Sequence, residues 1–205
     1  MDYTRNEDKL CAETTAGARY NHIYSVDNIS SESGEVSEPV TLEEMKKYLR
    51  LEGDDSPGDE FDFDDELIQD MITEGRVWVE QYTGLHLVEK SLQVVLLNQA
   101  GMTEMPGPVT GTIVIKNEDA TTIDSATYKF IGSDFPKLVT PFDGRLTLTY
   151  DAGYTPATCP KGLKNAIKAY VAYAFEHRGE EIDDKALQAA ASKKARPYQR
   201  GSLWG

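Results

Sequence analysis

Acidic residues crowd the stretch from Glu52 to Asp65, EGDDSPGDEFDFDD, and so dense a run of carboxylates suggests calcium. The EF-hand register, D-x-[DN]-x-[DN]-G with a glutamate at its last position, fits from none of Asp54, Asp55, Asp59 or Asp62. Pro57-Gly58 marks a turn, so the stretch reads as a solvated acidic loop. Paired carboxylates could also serve a hydrolase. These acids, however, fall in loops and at helix starts, where solvation and capping account for them.

Other chemistry is thinly represented. Cys159 precedes a helix start, a position that favours thiolate, but no base is identifiable beside it and an inert thiol is expected. Cys11 and Cys159 lie far apart and outside any CxxC or Cys/His ligand spacing, and His22, His86 and His177 are scattered. G-x-S-x-G, H-E-x-x-H, GxGxxG and GxxxxGK[ST] are all absent, so no nucleophile elbow, zinc helix or phosphate-cradling loop is expected. The expectation is a chain without catalytic residues, metal or cofactor.

Charge is more informative than motif. The chain has 205 residues, 40% apolar and 27% charged, with a net charge of −14. Residues 1–66 hold six basic against nineteen acidic side chains, 67–160 six against eleven, and 161–205 nine against five. After Asp184 no acid occurs, while Lys193, Lys194, Arg196 and Arg200 remain. An acidic body with a short basic tail is a poor grip for phosphates and suits an acidic protein surface instead. No run approaches the ~18 apolar residues of a membrane span, and MDYTRNEDKLCAETT lacks a secretory h-region. A cytoplasmic chain with reduced thiols is expected.

The elements that would position these residues are readable in order. Residues 1–38 form a polar N-terminal arm, mobile or ordered by a partner, with a short strand around His22–Val26. Thr41 and Glu44 have capping-box spacing and Val40 with Met45 fits a hydrophobic staple. They open a helix over about 41–51, with Leu42, Met45, Tyr48 and Leu49 inward and Gly53 as its stop. Asp64 to Gly84 carries apolar residues at Leu67, Ile68, Met71, Ile72, Trp78, Val79 and Tyr82, the spacing of one buried helix face. Asp62 or Asp64 would cap that helix (about 64–83), and Gly84 would end it.

From His86 the period changes to two. A long strand or hairpin arm with Leu92, Val94 and Leu96 alternating is followed by strands at Thr112–Lys116, in TYKFIGSD, and in GRLTLTYDAGY. These make a small antiparallel β insertion over about 86–150. Pro160 starts a helix over about 160–178, with Leu163, Ile167, Tyr170, Val171 and Ala174 on one face and Ala166 and Ala174 small enough for a close neighbour. A shorter helix over about 184–192 follows. Pro197 and Gly201 break the tail 193–205, whose aromatic end either tucks onto its own domain or docks in a partner. The fold class is α+β, a small helical bundle with an antiparallel β insertion, in one domain spanning 39–192.

Three segments together resemble the head–tail connector (adaptor, head-completion) proteins of tailed bacteriophages. They are PVTLEEMKKYLRLEG at 39–53, DDELIQDMITEGRVWVEQYTGLHL at 64–87, and LTLTYDAGYTPATCPKGLKNAIKAYVAYAFEHRGE ending at residue 180. MPGPVTGTIVIKNEDATTIDSATYKF is similar to the β insertion of the longer members. The resemblance covers about 39–200, and the 1–38 arm lies outside it. It implies a structural virion protein that forms a dodecameric ring on the portal at the head–tail junction and is assembled in the host cytoplasm. Such a ring extends the DNA channel without sequence-specific binding and offers a platform to a stopper or tail-terminator protein.

On that resemblance the portal-binding residues are Lys193, Lys194, Arg196, Tyr198, Arg200 and Trp204, in a tail that folds on binding. The β arm and the outer faces of helices 41–51 and 160–178 are candidates for the head-to-tail contacts of a closed ring. Two other readings remain. One is a small cytoplasmic protein-binding or regulatory module without a ring. The other is a carboxylate-dependent hydrolase, which requires paired buried acids in a cleft.

Overall fold

Thr41 begins the helical half. In the computed structural model, which describes residues 22–29, 37–51, 62–178 and 184–199, its Oγ1 accepts a hydrogen bond from the Glu44 N–H at 3.1 Å. That bond caps α1 (Leu42–Leu49), and Val40 and Met45 are both buried as a staple requires. The Glu44 carboxylate meets Lys168 at 3.1 Å. α1 stops at Arg50, whose left-handed backbone (φ 59, ψ 36) returns its N–H to the last turn, so Gly53 is not the terminator. Tyr48 is 51% exposed, against expectation. A helix this short at the edge of the layer buries only a narrow stripe, and Tyr48 falls beside it.

α2 (Asp62–Thr83) starts two residues before the expected Asp64 and ends at Gly84, which has φ 74. Its buried stripe is Ile68, Met71, Ile72, Gly75, Arg76, Val79 and Thr83. Leu67 is 38% exposed, and Trp78 and Tyr82 are half-buried and stacked on each other at 5.1 Å. Apolar spacing missed the centre of this stripe because a glycine and an arginine occupy it. A Cβ on Gly75 would stand 3.0 Å from the Tyr170 ring, so the absent side chain lets the next helix come close.

That helix is α3 (Lys161–Glu176), with Leu163, Ala166, Ile167, Val171 and Ala174 buried and Pro160 as its N-cap. α1 runs beside it in the same sense, since Glu44 meets Lys168 while Leu49 and Arg50 share a cleft with Phe175 and Arg178. α4 (Asp184–Ala195) runs back against it and ends three residues later than expected. Leu187, Ala191 and Ala195 recur every four residues and are all buried, which carries the helix past Ser192. A 3-10 turn, Arg196–Tyr198, then lays Tyr198 over Gly162 in the first turn of α3.

The sheet is antiparallel and curled. β2 (Lys90–Glu104) and β5 (Lys137–Ala152) pair from Lys90 opposite Ala152 to Glu104 opposite Lys137. On the far edge of β5, β3 (Val114–Lys116) covers residues 147–149 and β4 (Lys129–Ile131) covers 137–139. Leu92, Val94, Leu96, Ile115, Leu138, Leu146, Leu148 and Tyr150 alternate onto one face and form a second core. β5 begins well before the expected GRLTLTY. Its Pro141 falls at a bulge between the Gln99–Asp143 and Gly101–Thr140 pairs, where a missing N–H breaks no ladder bond.

β1 (His22–Asn28) pairs with β2 and forms the other edge of the sheet. The short strand expected around His22–Val26 is thus present and runs two residues further, because the outer edge of β2 offers it a ladder. Residues 1–21 and 30–36 of the expected N-terminal arm and most of the acidic loop, 52–61, lie outside the described residues.

Candidate assembly surfaces

The junction between the two cores is set by a clamp of charges. Arg76 projects from α2 and is 11% exposed. Its Nε donates to both oxygens of Glu38, at 3.0 and 2.9 Å, and its Nη1 to Glu80 Oε2 at 3.1 Å. Thr73 Oγ1 donates to Glu38 at 3.1 Å, the Leu87 N–H to Glu80 at 2.6 Å, and Lys90 Nζ stands 3.7 Å from Glu80. The segment before α1, the middle of α2 and the first residue of β2 are thus tied together. Both carboxylates accept from the one guanidinium, and further donors of the same chain occupy them.

His86 lies beside this clamp. Burial, then the Lys90 ammonium, push its pKa down to about 4, with Glu80 pulling the other way. Since the folded value lies below the ordinary 6.5, the unfolded chain takes up more protons between those two values. Stability is therefore full above pH 6.5 and falls as pH drops toward 4. His86→Gln is expected to remove roughly 2 kcal/mol of that fall, discounted for the ring's partial exposure. Urea unfolding near neutral pH and near pH 4.5 measures it, and an unchanged slope would count against the assignment.

Cys159 is 5% exposed, and burial pushes its thiol up to about 11 against the pull of Lys164. At neutral pH it is a protonated core side chain, not a poised nucleophile. Among the described residues, no group of three or more His, Cys, Asp or Glu is placed to hold a metal ion, and no helix is long and apolar enough to cross a membrane.

The six tail residues separate into three groups. Lys193 and Lys194 end α4 as exposed side chains, and Arg196 is exposed in the 3-10 turn. Tyr198 is half-buried against the helical core, so close to α3 that a Cβ on Gly162 would meet its ring at 2.4 Å. Arg200 and Trp204 lie outside the described residues. Up to Tyr198 the segment is thus already folded onto its own domain, in contrast to a tail that orders on binding. The four-residue spacing of Leu187, Ala191 and Ala195 was the signal that could have shown this.

Sequence reading missed what surrounds these cations. Lys161 and Lys164, in the first turn of α3, bring two more positive charges to the same end of the α3–α4 hairpin. At the opposite end, Tyr48, Leu49, Arg50, Phe175, Glu176 and Arg178 line a cleft of about 820 Å³. The Arg178 guanidinium there lies 4.1 Å over the Phe175 ring.

No protein-family model matches the chain, and no curated protein matches it. Solved structures do share its fold. One is a chain in the neck of an empty gene transfer agent (GTA) particle computed with C6 symmetry, at 16% identity and a TM-score of 0.67, covering 88% of this chain and 98% of that one. Another, from the neck of the native GTA particle computed with C12 symmetry, has 14% identity, a TM-score of 0.63 and coverages of 88% and 98%. A third, from the virion of the native GTA particle, has 16% identity, a TM-score of 0.62 and coverages of 88% and 97%. The fold is that of these phage-like neck and virion chains, with helical bundle and β arm together.

Proposed function

We propose that this chain is a structural, non-catalytic protein of the neck of a phage-like particle: one subunit of a dodecameric ring at the head–tail junction. The ring binds the portal, extends the DNA channel and presents a face to a stopper or tail-terminator protein. One observation carries the reading. The fold matches neck chains over nearly all of both partners, β arm included, so the likeness extends beyond a common helical motif. The C12 symmetry used for one of those necks agrees with twelve subunits. Assembly takes place in the host cytoplasm and the finished ring resides in the virion.

Native mass measurement of the chain with its cognate portal tests this. A ring on the portal is expected, and failure to bind would overturn the reading. The portal-facing role of the tail is tested separately, and the structure decides where to cut. Removing residues 193–205 would take Ala195 and Tyr198 out of the helical core. Removing 200–205 is expected to leave the melting temperature within about 2 °C while abolishing portal binding. Unchanged binding would refute a contact through Arg200 and Trp204.

A further inference from the structure

Two segments far apart in the chain meet where α3 begins and α4 finishes. Tyr198 seals the join, its ring so close to Gly162 that an added Cβ would stand 2.4 Å from it. The join brings Lys161 and Lys164 to the same end as Lys193, Lys194 and Arg196. Among the described residues none of these five cations is in an ion pair. On the helices themselves no acid lies between Lys161 and Glu176, or after Asp184. Acids do reach this end through contacts. Asp134 accepts from Tyr154 at 2.8 Å, and Glu44 pairs with Lys168, one turn beyond Lys164, with Glu43 exposed beside it. Asp134 and Glu44 are thus already engaged, and the five cations are not. The local balance is positive in a chain whose net charge is −14.

What else is exposed there decides the kind of partner. A protein-docking patch is expected to have an apolar, often aromatic, centre. None of the large apolar side chains exposed among the described residues falls in 154–168 or 187–198, and Tyr198 packs on the helical core. Thr158, Asn165 and Gln199 are exposed instead. Cations mixed with hydroxyls and amides are the groups that contact the phosphates and sugars of a duplex. The surface is also preformed. The Thr155 N–H donates to Thr158 Oγ1 at 3.0 Å and the Thr158 N–H to Thr155 Oγ1 at 3.1 Å, which fixes the turn leading into α3. Little ordering is therefore needed on binding.

We propose that the basic end of the α3–α4 hairpin binds the sugar–phosphate backbone of duplex DNA, without regard to sequence. Composition pointed these cations toward an acidic protein surface because the chain as a whole is acidic. At physiological salt, however, the Debye length is about 8 Å, so a duplex touching this end meets the local surplus and not the distant acids. Backbone contacts carry no base information and let the duplex slide. The proposal rests on the channel reading above for the presence of DNA, and adds which surface meets it.

Fluorescence anisotropy of the full-length chain with duplex DNA of two unrelated sequences tests it. Wild type is expected to bind both alike at low salt. Its log affinity should fall against log salt with a slope of about −2.7 to −4.5, the mark of three to five neutralised phosphates. Lys193→Glu with Lys194→Glu and Arg196→Glu should abolish binding. Should that variant lose helicity by circular dichroism, Lys161→Glu with Lys164→Glu replaces it, because acids suit a helix N-terminus, and binding should fall about tenfold or more. Lys116→Glu with Lys129→Glu and Arg145→Glu places as much negative charge on the sheet and should bind as wild type does. The inference is overturned if wild type ignores duplex DNA at low salt, if it prefers one sequence strongly, or if the sheet reversals weaken binding as much as those at the basic end. Portal rings that need these cations, formed by a chain that ignores DNA, would assign the surface to an acidic protein; that result sinks this contact and leaves the neck reading standing. DNA binding by a chain that forms no ring on its portal would uphold the surface and overturn the neck reading.

Discussion

Arg76→Leu is expected to be among the most damaging single substitutions in the chain, lowering the unfolding free energy by about 3–5 kcal/mol. Arg76, Glu38 and Glu80 are each only 11–13% exposed by side chain. Removing the guanidinium leaves two carboxylates close together in a poorly solvated place, with Thr73, the Leu87 N–H and a longer contact to Lys90 as the remaining donors. The cost is that of uncompensated buried charge, which exceeds the net contribution of the original pairs. Adding Glu38→Gln to Arg76→Leu should recover a substantial part of the loss. Urea titrations of the two variants decide it, and no recovery would mean that packing of the arginine stem, not charge, is what matters.

Gly153→Ala is the second. Gly153 adopts φ +120, and a Cβ there would meet the Val88 carbonyl oxygen at 2.0 Å and its carbon at 2.5 Å. Both neighbours are backbone, so no side-chain rotation relieves the clash. The Gly153 N–H also donates to Pro108 O at 2.9 Å, pinning the residue from its other side. Backbone strain and overpacking together cost about 4 kcal/mol. A fall in melting temperature of more than about 10 °C is expected for a domain of this size. By contrast Gly144, at φ +109 with nothing near its Cβ position, should accept alanine at the cost of strain alone. Equal effects at the two sites would show that the close approach to Val88 does not matter.

What was legible in the sequence was local. Thr41 caps with its own hydroxyl, Gly84 takes the left-handed stop, and the alternation from Leu92 to Leu96 and from Leu146 to Tyr150 follows the pleat. What was not legible depends on distant partners. Arg76 counts as a surface residue until Glu38 and Glu80 are seen around it, and Gly75 as a weak point until the Tyr170 ring is found against it. Pro141 reads as a strand breaker because the bulge that tolerates it is defined by residues 99 to 101 of another strand. Of the candidate site, the cations of the tail were visible by composition. Their alliance with Lys161 and Lys164 required knowing that α4 folds back along α3.

The pairing of Lys90 with Ala152 has a consequence for how freely the β arm can vary in length. The helical core draws on residues from Val40 to Leu87 and again from Tyr154 to Ala195, and the whole arm intervenes. Bringing the ends of so long an excursion together costs about 4 kcal/mol of chain entropy if nothing else holds them. The first rungs of the β2–β5 ladder hold them, at the very point where the arm leaves the bundle. Loop-closure cost grows only with the logarithm of length, by about 0.6 kcal/mol per doubling. Length changes at exposed turns of the arm such as Asn117–Ala120 are therefore cheap, whereas Gly107, Pro108, Asp134 and Phe135 fold back on Leu85, Gly153, Tyr154 and the helical core, so changes there reach the bundle.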